Sequence, residues 1–385
     1  MPKFPSTITS KLPKAGTTIF SVMSKLATEY KAINLSQGFP DFSCDQALVD
    51  LVTKYMKRGF NQYAPMAGVT ALREQIAETT EQLYGAVYDA GSEITVTAGA
   101  TQAIYTIITA LIRENDEVLI FEPAYDCYVP AIELNGGKAI YYQLQAPYYK
   151  IDWNDVQKLV NHHTKMIIIN TPHNPTGTIL AETDLKCLEK LTKDTDIVIV
   201  SDEVYEHIVF DEHKHQSVAL FPKLAERSFI VSSFGKTFHT TGWKVGYCLA
   251  PQELMDEFRK VHQFLIFSVS TPMQYAIAEY LKEKSNYLQL GAFYQTKRDY
   301  FNQLIRNSRF SCYPSAGTYF QLLGYERISE EKDTEYAVRL VKESGLACIP
   351  VSVFYHEGAD FKMLRFCFAK QDDTLEKAAE ILCKI

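Results

Sequence analysis

The sequence has no basic excess, no paired cysteines and no long apolar run, and each shortage closes off a class of function. Its 39 Lys and Arg stand against 46 Asp and Glu, a formal net charge of -7, which leaves no electrostatic footprint for nucleic acid or an anionic membrane. No basic helix-turn-helix segment precedes residue 30, which argues against a cofactor-sensing transcription regulator. The eight cysteines, Cys44, Cys127, Cys187, Cys248, Cys312, Cys348, Cys367 and Cys383, include no Cys-x-x-Cys pair and several sit in apolar runs. They read as reduced core residues of a reducing compartment. The opening Met1-Pro2-Lys3-Phe4-Pro5-Ser6-Thr7 lacks the basic start and apolar stretch of a signal peptide, so the expectation is a cytoplasmic protein. His162-His163 and His213-Lys214-His215 lie in polar stretches without a His-Glu-x-x-His pattern or cysteine ligands; they are expected to face solvent, and no metal site is expected.

What is present is an ordinary globular composition, 46% hydrophobic and 22% charged over 385 residues, enough for a large core and two domains. Residues 1–16, rich in Pro, Ser, Thr and Lys, read as an extended arm. Phe20, Met23, Leu26 and Ala27 then recur at helical spacing, and Ile33-Asn34-Leu35-Ser36-Gln37-Gly38-Phe39-Pro40 reads as a strand ending in a turn. From Ala71 onward strands alternate with helices. Strands are expected at Ile94–Thr97, Val118–Phe121, Ala139–Leu144, Met166–Ile169, Ile197–Val200, Phe229–Ser232 and Val245–Leu249. Helices are expected around Ala71–Leu83 and Thr101–Ile112, from Tyr125, and after Asp152. The alternation predicts an α/β fold with a mostly parallel central sheet covered on both faces, with ligands gathering where strands end. Beyond residue 272 a long helical stretch through Tyr294, and strands near Phe310, Thr318–Leu322 and Met363–Phe368, predict a smaller α+β domain. The expected division is 1–45 as arm and part of the small domain, 46–272 as large domain, and 273–385 as small C-terminal domain.

Chemistry concentrates at the predicted strand ends. Ser232-Ser233-Phe234-Gly235-Lys236-Thr237 leaves a buried strand, and Lys244 follows beyond Thr241-Gly242. A lysine can form an imine with a carbonyl cofactor, while the Ser233 hydroxyl and the Lys244 ammonium suit a phosphate. The competing reading of Lys236 is a solvated loop residue. Asp202 ends the apolar strand Ile197–Ser201, where a buried carboxylate needs a cation such as a protonated pyridine nitrogen; otherwise it is a helix N-cap. Tyr205, three residues on, can donate to a phenolate oxygen of the same ring. In Asn170-Thr171-Pro172-His173-Asn174-Pro175-Thr176-Gly177 two prolines and a glycine fix a turn that presents Asn174, against the reading of a bare loop. Val96-Thr97-Ala98-Gly99-Ala100-Thr101 opens a helix whose free N–H groups could seat a phosphate. It is neither a nucleoside triphosphate loop nor a dinucleotide fingerprint. Tyr125 could lie flat on an aromatic ring or simply fill core, and Arg365, in Met363–Phe368, either grips a carboxylate or sits on an exposed edge.

In this order the motifs resemble those of the fold-type I pyridoxal phosphate enzymes of the class I aminotransferase family, over essentially the whole chain. Asn34–Phe42 and Asn61–Gly68 resemble the methionine and kynurenine aminotransferase branch. The resemblance implies pyridoxal 5'-phosphate as cofactor, Lys236 as its Schiff-base lysine, Asp202 at the pyridine nitrogen, and Tyr205 with Asn174 at the ring hydroxyl. It implies Tyr125 stacked on the ring, and Ala100, Thr101, Ser233 and Lys244 around the phosphate, where many relatives carry arginine in place of Lys244. Arg365 with Asn174 would clamp the substrate carboxylate, with the Gly38 backbone closing over it. Tyr63 matches a tyrosine that reaches the phosphate of the neighbouring subunit, which implies a homodimer.

The resemblance further implies amino-acid and 2-oxo-acid substrates exchanged by a ping-pong scheme. Phe20, Phe39, Tyr105 and the Phe264 and Phe267 region are expected as apolar walls, or as core. With no second arginine standing out as a distal carboxylate clamp, methionine and large neutral or aromatic amino acids are the expected donors. The alternatives are a cysteine-conjugate β-lyase on the same scaffold, or a preference for aspartate or kynurenine.

Overall fold

A computed structural model of the protein describes residues 6–13 and 15–385. The expected arm over residues 1–16 therefore lies partly outside the described residues, at 1–5 and 14. Its described part carries no helix or strand and is largely exposed.

The organising element is a seven-stranded sheet. Its strands, in chain order, are β1 (Ile94–Thr97), β2 (Glu117–Glu122), β3 (Lys138–Gln143), β4 (Thr164–Asn170), β5 (Val198–Asp202), β6 (Ser228–Ser233) and β7 (Gly246–Leu249). In space they run β1-β7-β6-β5-β4-β2-β3. All neighbours are parallel except those of β7, which is antiparallel to both β1 and β6. The reason for the apolar runs is visible in the register. Ile167 pairs with Ile199 toward one face and Ile168 with Val200 toward the other, and both pairs are buried in separate cores. A strand covered on both faces cannot alternate with polar residues.

A second, antiparallel sheet joins Ile349–Pro350, Met363–Cys367, Phe320–Gly324 and Ser311–Cys312 in that order. Its cluster also takes Met23 and Ala27 from the helix Ile19–Glu29. Ile33–Asn34 pairs in parallel with Leu346–Ala347, so the N-terminal segment is fastened to the C-terminal part of the chain.

Several expectations need correction. The helical stretch after residue 272 is broken into Thr271–Tyr280, Ser285–Leu288 and Leu290–Leu304. The helix expected from Tyr125 starts at Tyr128, because Glu122–Cys127 first makes a turn beyond β2. The His215 side chain is only 6% exposed rather than solvent-facing, and it bonds Glu203 at 2.8 Å. Cys187 and Cys383 are exposed, while Cys248, Cys348 and Cys367 are core residues. Among the described residues no helix is long and apolar enough to cross a membrane.

Candidate active site

The C-terminal ends of β1, β2, β4, β5 and β6 open onto one cavity of about 310 Å³. Parallel strands place their C-terminal ends on one edge, so residues far apart in sequence meet there. At one end of the cavity the chain leaves β1 through Gly99, at φ +80°, into the helix Ala100–Leu111. A side chain at Gly99 would be strained, and its Cβ would stand 3.2 Å from Lys244 Nζ. The turn can therefore approach the lysine only as bare backbone. The first-turn N–H groups of Ala100 and Thr101 have no acceptor in the helix ladder, and both residues line the cavity with Ser233, Thr241 and Lys244. Free N–H groups, hydroxyls, a helix dipole and an ammonium make a seat for a dianion.

Asp202 and Lys236 line the same cavity. Asp202 Oδ2 accepts from Tyr128 Oη at 2.5 Å, and its Oδ1 accepts from the Val204 N–H at 3.4 Å. Burial pushes this carboxyl up to about 6, opposed by the Tyr128 bond, the Val204 N–H and the Lys236 charge. Burial likewise brings the Lys236 amine down to about 8. Its Nζ lies 5.5 Å from the centre of the Tyr205 ring and donates to Tyr319 Oη at 2.9 Å. Tyr125 also lines the cavity, its ring edge-on to Tyr128 at 6.0 Å.

Arg365 is 1% exposed, on an inner strand of the second sheet, not an exposed edge. Its guanidinium lies 3.9 Å from the Phe320 ring centre. Nη1 donates to Asn174 Oδ1 at 2.8 Å and Nη2 to the Ser36 carbonyl at 3.0 Å, while Nε is buried with no partner among the described residues. A buried donor left open is costly unless an acceptor arrives, and a carboxylate is the acceptor that suits a guanidinium. Asn174 is itself held. Its N–H donates to Asn170 Oδ1 and Asn170 Nδ2 donates to the Asp202 carbonyl, both at 2.8 Å. One relay of bonds thus runs from β5 to the second sheet.

Of the residues marked in the sequence, Lys236, Asp202, Tyr205, Asn174, Tyr125, Ala100, Thr101, Ser233, Lys244, Gly38, Arg365, Phe20 and Phe39 all line this cavity. Tyr63 does not; it is 82% exposed, its ring edge-on to Phe267. Tyr105 is outside the lining too, and Phe264 and Phe267 are exposed on the surface rather than forming a wall. Helix Ala100–Leu111 turns Ile104, not Tyr105, toward the cavity. Tyr128, Asn170 and Tyr319 carry bonds that sequence reading missed. Only Asn170 had a usable signal, since it ends a predicted strand as Asp202 does and pairs with it in register. The partners of Tyr128 and Tyr319 lie 74 and 83 residues away, beyond any local pattern.

The donor set fits a phosphorylated pyridine aldehyde: a dianion seat, a buried acid and an imine-forming amine share one cavity. Comparison with known proteins agrees with that chemistry. Residues 30–382 match the family described as aminotransferase class I and II. The chain is 50% identical to methionine aminotransferase of Escherichia coli over 374 residues, covering 97% of each. A crystal structure of an E. coli protein identified as having a methionine aminotransferase function superposes with a TM-score of 0.97 at 49% identity, over 99% of this chain and all of that one. Human kynurenine--oxoglutarate transaminase 1 is 32% identical over 395 residues, 94% of each chain.

Proposed function

The chain belongs to the class I and II aminotransferase family, and from that premise we propose that it moves the amino group of methionine and of large neutral or aromatic amino acids to a 2-oxo acid. That it is an aminotransferase, acting on amino and 2-oxo acids, follows from the family match and the near full-length likeness to the E. coli enzyme. The cofactor this chemistry calls for is pyridoxal 5'-phosphate: Ala100, Thr101, Ser233 and Lys244 would hold its phosphate, Tyr125, Asp202, Tyr205 and Asn174 would hold its ring, and Lys236 would hold its aldehyde. One observation carries this reading: Lys236, Asp202 and Arg365, from three separate stretches of chain, share one cavity.

When bound, the cofactor supplies an electron sink that acidifies the substrate Cα–H bond. Asp202 would keep a proton on the ring nitrogen. Arg365 and Asn174 orient the substrate by its carboxylate, and the Lys236 amine, once free, takes the Cα proton and returns it as general acid. At about 8, its affinity for protons suits both tasks near neutral pH. Phe20, Phe39, Ile104 and Phe320 give the cavity apolar walls, and among the described residues Arg365 is the one arginine lining it. A second carboxylate would have no guanidinium to meet, which supports methionine over aspartate as donor. The protein acts as a homodimer in which Tyr63 reaches the neighbouring site, and its chain divides near residues 45 and 272.

The test is a visible spectrum of the cofactor-loaded protein before and after methionine, followed by a donor panel. Methionine is expected to shift the absorption band and release the matching 2-oxo acid. A strong preference for aspartate would defeat the substrate assignment. Lys236→Ala is expected to abolish both the borohydride-reducible linkage and turnover, and retained turnover would defeat the role of the lysine.

A further inference from the structure

Tyr319 is fully buried and precedes the strand Phe320–Gly324. Its hydroxyl accepts from Lys236 Nζ at 2.9 Å and donates to the Gly38 carbonyl at 2.5 Å. Lys236 Nζ also donates to that carbonyl, at 3.2 Å. Three polar atoms, from the N-terminal segment, the end of β6 and the second sheet, thus close a triangle. A neutral amine has two N–H groups and one lone pair, and here both N–H groups have protein acceptors. The lone pair is left for something else.

We propose that Tyr319 is a positioning residue which, with the Gly38 carbonyl, holds the Lys236 amine by its two N–H groups and so leaves its lone pair for the substrate Cα proton. The inference rests on the function proposed above and adds to it the group that aims the base. In the transfer the Cα–H bond breaks, its electron pair stays with the substrate carbon, and the proton becomes the third N–H of the ammonium. That N–H is the one without a protein acceptor, so it is the one available to be given back. Nothing else is consumed. The same triangle ties the Gln37–Phe39 segment to the lysine, so the backbone expected to close over the substrate is placed by the group that places the base.

Tyr319→Phe removes the oxygen and keeps the ring packed against Tyr205, 5.2 Å away edge-on, and Phe320, 5.0 Å away. Two measurements separate positioning from packing. The first is the pH dependence of Lys236 acylation by an amine-reactive reagent in the cofactor-free protein, resolved by mass spectrometry. A lost acceptor disfavours the ammonium, so the apparent pKa is expected to fall. The second is turnover of methionine and of Cα-deuterated methionine. We expect kcat to fall about tenfold to a hundredfold, KM to change little, and the deuterium effect to rise as proton transfer becomes limiting. An unchanged labelling pKa with unchanged kcat and isotope effect overturns the inference. The labelling arm needs neither cofactor nor turnover, so it decides the contact even if the proposed function fails. Should Tyr319→Phe fail to fold, 3-fluorotyrosine at position 319 is a weaker acceptor of the same shape, and the labelling pKa should fall by a smaller amount; no fall would overturn the inference.

Discussion

Asp202 has to remain a carboxylate inside the protein, and burial works against it. Its folded pKa of about 6 is raised from the usual carboxylate range by desolvation, and the Tyr128 hydroxyl at 2.5 Å is the nearest group holding it down. Tyr128→Phe removes a donor to the charged form, so the carboxyl should rise further. The acid limb of kcat/KM for methionine is then expected to move up by about one pH unit, the worth of one hydrogen bond to a charged group. An unmoved limb would mean that Tyr128 only fills space. Lys236 gives the opposite sign. Below about pH 8 it is charged in both folded and unfolded chains, and the full cost of burying an ammonium falls on the folded state. Between about 8 and its unfolded value the folded chain has released the proton while the unfolded chain keeps it, so stability rises with pH. Lys236→Met is therefore expected to raise the melting temperature of cofactor-free protein at pH 7, by a margin that shrinks toward pH 10. Calorimetry across that range checks it, and a margin independent of pH would contradict the shift.

At the scale of the element, β7 shows how a glycine lets two site segments meet. Gly246 opens β7 opposite both Thr97 of β1 and Ser233 of β6. A Cβ there would sit 2.6 Å from the Ser232 carbonyl and 3.1 Å from Gly99 Cα. These are backbone atoms, so Gly246→Ala must move a strand or the phosphate turn. Overpacking of this kind costs about 1–3 kcal/mol. The expected outcome is weaker cofactor binding by equilibrium dialysis, with Ser233 and Lys244 displaced together, as well as a lower melting temperature. Unchanged binding would show that the strands can part without disturbing the seat. What the sequence made legible follows the same logic. Strands buried on both faces leave apolar signatures, which made six of the seven readable. The half-buried edge strand β3 was read as part of the same alternation, and the motifs at the strand ends could be picked out because loops are where polar residues gather. The antiparallel direction of β7 was not readable, since pairing direction leaves no mark on a four-residue run. Nor were Tyr128 and Tyr319, buried tyrosines of the kind that fill cores, whose hydroxyl partners are set by the fold alone.

For the whole molecule, the surface carries what one chain cannot use. Tyr63 at 82% and Phe264 at 88% exposure, with Phe267 three residues after Phe264 in the chain and its ring beside Tyr63, leave aromatic area facing water. Tyr63 lines no part of the cavity of its own chain, although the family resemblance gives it a phosphate to touch. If each site borrows Tyr63 from the neighbouring chain, two disabled chains can repair one another. In a mixed dimer of Lys236→Ala and Tyr63→Ala chains, one site lacks both groups and the other has an intact Lys236 together with an intact Tyr63. Random reassortment makes half of the dimers mixed, so activity should recover to about one quarter of that of the unmodified protein, well above either parent. The measurement is methionine turnover after the two proteins are unfolded and refolded together, compared with the same proteins refolded apart and then combined. Activity equal to the mean of the parents in both preparations would show that Tyr63 serves its own chain or none, and the shared-site dimer would have to be given up while the chemistry of Lys236 stood.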